Sequence, residues 1–284
     1  VTPVGFWNYL IHDEPLLPTL TVPLPIRRRI FPEEITGLVL EGELPVAGGQ
    51  LGYVGWLSNG DSSVGARDDN NDKAVGGRLY YSIQDMGLLG RLRVGISGYT
   101  GRVEKPRNYT PNDPALAEVA LREGRPTTYF SDTFEARGLT PWGESVRGGR
   151  DRALAGDLLL DLAGLRLRAE VFLNWAQPRG VPGLPPPRNY VEWGYYVYAG
   201  YRIELPSWGE EDVSLGTLEP FLRYDVYDGN SNFVHELQSL QLAVLGIRYE
   251  INRYAQLRLE VNRYMYRESR RDFTSFTGGL LLSF

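Results

Sequence analysis

The sequence predicts an all-β chain, a transmembrane antiparallel β-barrel of about twelve strands, and three observations carry that expectation. Apolar and polar side chains alternate over most of the 284 residues, the period-two signature of strands with two unlike faces. No stretch approaches the eighteen or so uninterrupted apolar residues of a membrane helix, so a spanning structure has to satisfy its backbone by closing as a barrel. Short and long connections alternate along the chain, as in barrels with tight turns at one rim and loops at the other.

Strands are expected near residues 35–44, 50–58, 75–84, 91–101, 152–162, 165–176, 189–205, 218–227, 238–250, 255–267 and 274–284. PVAGG at 45–49 joins the first pair, and NGDSSVGARDDNNDK follows it. DMGLLG at 85–90 joins the second pair, which leads into a long loop at 102–150. Ala163-Gly164 joins the third, followed by the segment around QPRGVPGLPPP. The seventh and eighth strands are linked by PSWGEEDVSLGT at 206–217, the one long connection on the short side, and DGNSNFVH comes next. INRYA at 251–255 joins the ninth and tenth, and SRRD precedes the last strand. Eleven strands is an odd number, so either residues 2–11 supply a twelfth or the chain is the carboxy-terminal part of a larger barrel. At that size the interior is narrow enough for side chains or an inward loop to fill it.

The final strand, FTGGLLLSF at 276–284, places Phe276, Leu280, Leu282 and Phe284 on one face, with Gly278 between them. An apolar terminal strand ending on Phe resembles the assembly signal of Gram-negative outer-membrane β-barrels. That likeness implies recognition by the barrel assembly machinery, a periplasmic Phe284 and extracellular long loops.

Composition agrees. The chain holds 18 Tyr, 6 Trp and 33 Gly, suited to aromatic girdles and tight turns, and 0 Cys, which excludes disulfides, thiol catalysis and c-type haem attachment. A formal net charge of -5 argues against a nucleic-acid partner, so contact with outer-membrane lipid is expected to be hydrophobic. Val1 opens directly on TPVGFWN with no signal-peptide pattern, so a processed chain or a fragment is expected.

Three strands show their facing plainly. Leu165, Leu167, Ala169, Val171, Leu173 and Trp175 are expected to face lipid, opposite Arg166, Arg168, Glu170, Phe172 and Asn174. Val191, Trp193, Tyr195, Val197, Ala199 and Tyr201 likewise oppose Glu192, Tyr196, Tyr198 and Arg202, and Leu218, Leu222, Tyr224 and Val226 oppose Glu219, Phe221, Arg223 and Asp225. A soluble β-sandwich also alternates, but it would bury the apolar face and would not collect Arg and Glu together on the other. The lumen-lining charges expected from this facing are Arg78, Arg91, Arg93, Arg166, Arg168, Arg202, Arg223, Arg248 and Arg258, against Glu170, Glu192, Glu204, Glu219, Asp225, Glu250 and Glu260. They are expected to stay partly solvated and to pair across strands. The pairing serves either as a field that screens solutes or as a ladder that stiffens the wall, and the near balance of signs predicts no strong ion selectivity.

In the loop at 102–150, NDPALAEVALREG has Asp113 as an N-cap, Pro114 at the first helical position and Gly124 after the last turn, which predicts a short helix. An inward-folded gate and a solvated cap are both open readings of that loop.

At the front of the chain, Thr2, Pro3, Gly5, Asn8, His12, Asp13 and Pro15 form a TP-x-G-x-x-N-x-x-x-HD-x-P stretch, followed by a Pro-rich run and a Gly-containing strand. With LEPFLRYDVYD and LGIRYEINRYAQLRLEVNRY, this resembles the phosphate-selective porin O and P group of Gram-negative bacteria. The resemblance implies a passive outer-membrane diffusion channel, with trimerisation as a family expectation. The balanced charges here depart from a strongly cationic lumen, so phosphate selectivity is not carried over. Those porins also begin with strands upstream of such a segment.

Catalytic and metal chemistry is sparse. Neither His12, beside Asp13 and Glu14, nor His235, beside Glu236, shows the arrangement of a barrel lipase or protease. Asp68, Asp69, Asn70 and Asp72, or Asp228, Asn230 and Asn232, cluster hard oxygen ligands without completing a calcium motif, and turn formation explains them equally. No metal site, cofactor or catalytic residue is assigned, and the chain is expected not to be an enzyme. The expectation is one outer-membrane barrel domain over 1–284, with a Pro-rich segment at 1–33, acting as a porin-like channel for small hydrophilic solutes or ions. The alternative is a structural barrel or sleeve with a plugged or partner-filled lumen, and a homo-oligomer or envelope-complex partner is left open.

Overall fold

Alternation at period two becomes a single large sheet in the computed structural model, which describes residues 4–5, 7, 19–27, 36–59, 73–84, 87, 90–103, 146–180, 189–208, 213–228, 239–252, 255–266 and 272–282. A one-turn helix α1 (Leu24–Arg27) precedes the strands. These are β1 (Gly37–Val46), β2 (Gly49–Ser58), β3 (Ala74–Ile83), β4 (Arg91–Val103), β5 (Val146–Leu162), β6 (Leu165–Gly180) and β7 (Tyr190–Tyr201). Three two-residue strands follow, β8 (Ile203–Glu204), β9 (Ser207–Trp208) and β10 (Val213–Ser214), then β11 (Thr217–Asp228), β12 (Ser239–Asn252), β13 (Ala255–Tyr266) and β14 (Phe273–Leu282).

Twelve of these strands form one antiparallel sheet in the order β1-β2-β3-β4-β5-β6-β7-β11-β12-β13-β14, with β8 continuing the β7 side of β11. Neighbours in sequence are neighbours in space, the meander that short antiparallel connections require. Two hairpins close over two residues: Ala47 and Gly48 have φ of 48° and 78°, and Ala163 and Gly164 have φ of 46° and 89°. Both positions of each turn are left-handed, the geometry whose twist matches the strands it joins. Glycine takes the second position without strain.

The eleven expected strands are all present, and the twelfth has a different origin from the one anticipated. Arg202 leaves the ladder to donate its backbone N–H to the Gly164 carbonyl at 2.8 Å, which divides the expected 189–205 strand into β7 and β8. Residues 2–11 add none among those described: Val4, Gly5 and Trp7 lie off the sheet and are buried. The fifth strand begins earlier than expected, at Val146, through a bulge between Val146 and Gly149. The expected turn at 206–217 carries the small β9–β10 hairpin. Phe284 of the terminal strand, residues 104–145 with their expected helix, and both histidines lie outside the described residues.

The two faces of the sheet are inverted relative to a water-soluble protein. Leu40, Leu79, Ile96, Val171, Leu222, Leu245, Leu259 and Phe276 are exposed, while Arg78, Glu170, Glu192, Arg223, Asp225, Arg258 and Glu260 on the other face are buried. Exposed apolar side chains recur from strand to strand along one face, reaching 80% exposure at Phe276, a continuous apolar surface of the kind that soluble monomers avoid. Hydrocarbon is the solvent that suits it. Phe276, Leu280 and Leu282 share this outer face. Of the wall strands, β4, β5 and β6 have 13, 17 and 16 residues, more than the roughly nine to eleven that cross a bilayer. Their loop-side ends therefore stand at or beyond the headgroup level.

Candidate functional site in the sheet interior

The buried face carries the chemistry, and its spacing is set by glycines that let charged side chains reach over a strand. Arg78 on β3 and Asp157 on β5 form a bidentate pair, Nη1 to Oδ2 at 2.7 Å and Nη2 to Oδ1 at 2.8 Å. Both side chains are fully buried. The pair spans β4 at Gly95, where an added Cβ would lie 2.6 Å from Asp157 Oδ2 and 2.7 Å from Arg78 Nη2. The same device recurs one hairpin on. Glu219 of β11 accepts from Arg166 Nη1 of β6 at 3.0 Å and from the Tyr198 hydroxyl at 2.7 Å. Gly200 leaves room for it, since a Cβ there would sit 2.7 Å from Glu219 Oε1.

Towards the short-turn rim, Asp161 takes Arg168 Nη2 at 2.5 Å and Arg91 Nη2 at 2.7 Å. The Arg93 guanidinium lies 4.4 Å from the Tyr80 ring centroid, a cation–π contact, and Tyr80 donates its hydroxyl to Glu43 Oε1 at 2.6 Å. Arg248 meets Glu250 on its own strand at 3.2 Å, and the Arg258 Nε donates to Gln256 Oε1. Arg202 Nη2 lies 3.4 Å from Thr217 Oγ1. Glu192 is wholly buried, whereas Glu204 is exposed on β8.

One correction to the sequence reading follows. The deep charges are not partly solvated: Arg78, Arg223, Asp225, Arg258 and Glu192 have at most 1% exposure. Pairing across strands is present, between neighbours at Asp161 and over an intervening strand at Arg78–Asp157 and Arg166–Glu219, beside same-strand pairs at Arg223–Asp225 and Arg248–Glu250. Asp151, Asp157 and Asp161, absent from the expected lining, belong to the buried-face register of β5, where Ala153, Ala155 and Leu159 share their parity. The alternation in RALAGDLLLDL held that signal, but apolar residues on both faces blurred it.

What encloses the charges is the front of the chain. Gly5 N–H donates to Ser97 Oγ at 3.1 Å, and Trp7 N–H to Glu170 Oε1 at 2.6 Å. Glu170 also accepts the Tyr196 hydroxyl, whose ring meets Trp7 edge-on at 5.8 Å. Further along, Leu20 and Thr21 donate their backbone N–H groups to the two oxygens of Glu260. Thr21 Oγ1 reaches Asn262 Oδ1 at 3.3 Å. Arg223 Nη1 donates to Thr19 Oγ1 and to the Thr21 carbonyl, while its Nε and Nη2 hold Asp225 at 2.8 and 3.1 Å. Leu24 N–H then donates to Asp225 Oδ2 at 3.0 Å, and Pro25 fills the space that a Cβ on Gly194 would claim.

Wall carboxylates on β6, β11 and β13, with the Ser97 hydroxyl on β4, thus accept main-chain N–H groups from the described residues at the front of the chain. Each charge-assisted bond of this kind contributes about 1.5–3 kcal/mol where water is excluded. Sequence reasoning missed this arrangement because main-chain donors leave no side-chain signature.

No protein-family model matches the chain, and no curated protein matches it. The porin O and P likeness therefore remains a resemblance. A similar solved structure is LpxR from Salmonella typhimurium, at 11% identity, covering 87% of this chain and 88% of that one with a TM-score of 0.27. At that score the likeness carries no argument of its own, and the fold stands on its strand order and faces. The expectation that the chain is not an enzyme is corrected and goes no further, since the similar structure is that of an enzyme.

Proposed function

We propose that this chain forms an outer-membrane β-barrel channel for small hydrophilic solutes or ions, in which residues 4–5, 7 and 19–24 form the constriction. The observation that carries the reading is the capture of the Trp7, Leu20, Thr21 and Leu24 N–H groups by Glu170, Glu260 and Asp225. A polar wall supplies the path, and the residues captured on it narrow it. Transport is diffusion down a gradient, with selection by size before charge because the lining carries both signs. A second reading, a structural barrel with a sealed lumen, is favoured by the near-zero exposure of Arg78, Arg223 and Asp225.

Planar-bilayer recording of the purified chain separates the two. The channel reading expects small, steady conductance with little ion preference. Glu260→Ala, which removes the acceptor of two main-chain donors, is expected to increase that conductance severalfold. Silence from both proteins, each folded by heat-modifiable migration, sinks the channel reading and favours the sealed barrel.

A further inference from the structure

The outer surface of the wall holds a groove of about 1080 Å³ that crosses β3 to β6 at their loop-side ends. Lys73, Arg102, Arg150 and Arg152 line it, and none of the described residues lining it is acidic. All four are exposed and have the strand parity of the lipid-facing residues Val75 and Leu154, which also line the groove beside Trp175. Small residues form its floor: Thr100 and Gly98 carry too little side chain to fill it. In the β4–β5 register Arg102 is directly opposite Arg150, and Arg152 is flanked by Thr100 on β4 and Trp175 on β6. Like charges placed directly across an antiparallel pair destabilise it. A snorkelling cation scattered along the rim needs no such juxtaposition.

We infer that this groove binds a phosphorylated lipid headgroup of the outer leaflet, with Arg150 and Arg152 on the phosphate, Trp175 at the interface and Val75 and Leu154 against the acyl chains. Arg suits phosphate because its planar fork offers paired donors, and a Trp beside it marks the polar–apolar boundary. The lipid source is favoured over a free anion by the position of the groove. It opens sideways on the hydrocarbon-facing surface, with apolar side chains continuing below the cations. The inference rests on the membrane reading of the chain and is independent of what fills the lumen.

Native mass spectrometry of the detergent-solubilised chain, titrated with bis-phosphorylated lipid A and with its dephosphorylated form, tests it. A preference for the phosphorylated lipid is expected, weakened ~25-fold in Arg150→Gln/Arg152→Gln, from ~5-fold for each cation lost near an anionic surface. Arg263→Gln, an exposed outward arginine paired with Asp272 outside the groove, is expected to bind as the wild type does. Equal binding of the two lipids overturns the inference, as does an unchanged double variant or displacement of the lipid by inorganic phosphate alone. Bilayer insertion of the same samples, measured by protease protection, scores the membrane reading separately. A chain that fails to insert removes both.

Discussion

The buried Arg78–Asp157 pair sets a quantitative test of how the interior is held. Its charge centres are about 4 Å apart, which corresponds to about 4 kcal/mol of attraction at an effective dielectric near 20. Desolvation of two fully buried groups consumes much of that gain. Removing one partner leaves the other buried without its counter-ion, so Arg78→Met or Asp157→Leu is expected to cost about 3–5 kcal/mol. The double variant replaces both charges with hydrocarbon of similar bulk and is expected to cost less than either single change. Urea unfolding in detergent micelles, followed by tryptophan fluorescence and gel mobility, gives all three values. Single variants within about 0.5 kcal/mol of wild type, or a double variant equal to the sum of the singles, would refute the reasoning: either result means that the pair is solvated and energetically idle.

Gly95→Ala places a methyl 2.6 Å from Asp157 Oδ2 and 2.7 Å from Arg78 Nη2. It should cost about 1–3 kcal/mol in the same unfolding assay, and much less in the Arg78→Met/Asp157→Leu background. Gly5→Ala combines a φ of 73° with a Cβ 2.2 Å from Glu170 Oε2, so the front of the segment should lift away from the wall. Hydrogen exchange at the Trp7 amide is expected to quicken at least fivefold, from about 1–2 kcal/mol of left-handed strain alone. Ile96→Arg puts a charge on an outward position that is 59% exposed in mid-strand. If that face meets hydrocarbon, folding into vesicles loses about 2–4 kcal/mol, whereas a water-facing residue would show almost no change.

Much of the fold was legible because each strand repeats one simple rule. The outward Val171 and Leu222 and the inward Glu170 and Arg223 alternate without a break, and a strand that slipped by one residue would place charge in lipid. The interior was only half legible. Arg78 could be placed by parity, but its partner Asp157 sits in a Leu-rich strand whose two faces look alike. That they meet at all depends on Gly95, a residue that announces itself by the absence of a side chain. The break at Arg202 arises from a contact with Gly164, thirty-odd residues away, which no local pattern encodes. The front of the chain was legible as a Pro-rich segment and a TP-x-G-x-x-N stretch, neither of which says where it docks. Its anchoring uses backbone donors, and those are the same in every sequence.

The most direct test of the account is the proximity of Thr21 to Asn262 in the bilayer-inserted protein. The chain contains 0 Cys, so a Thr21→Cys/Asn262→Cys pair would carry the only thiols, at positions whose side-chain oxygens lie 3.3 Å apart. A short bifunctional thiosulfonate is predicted to link them within one chain as efficiently as an Arg263→Cys/Thr274→Cys control pair on adjacent strands. Efficient linking of the control with none between positions 21 and 262 would contradict the account, because the front segment would then lie elsewhere and the interior would be open.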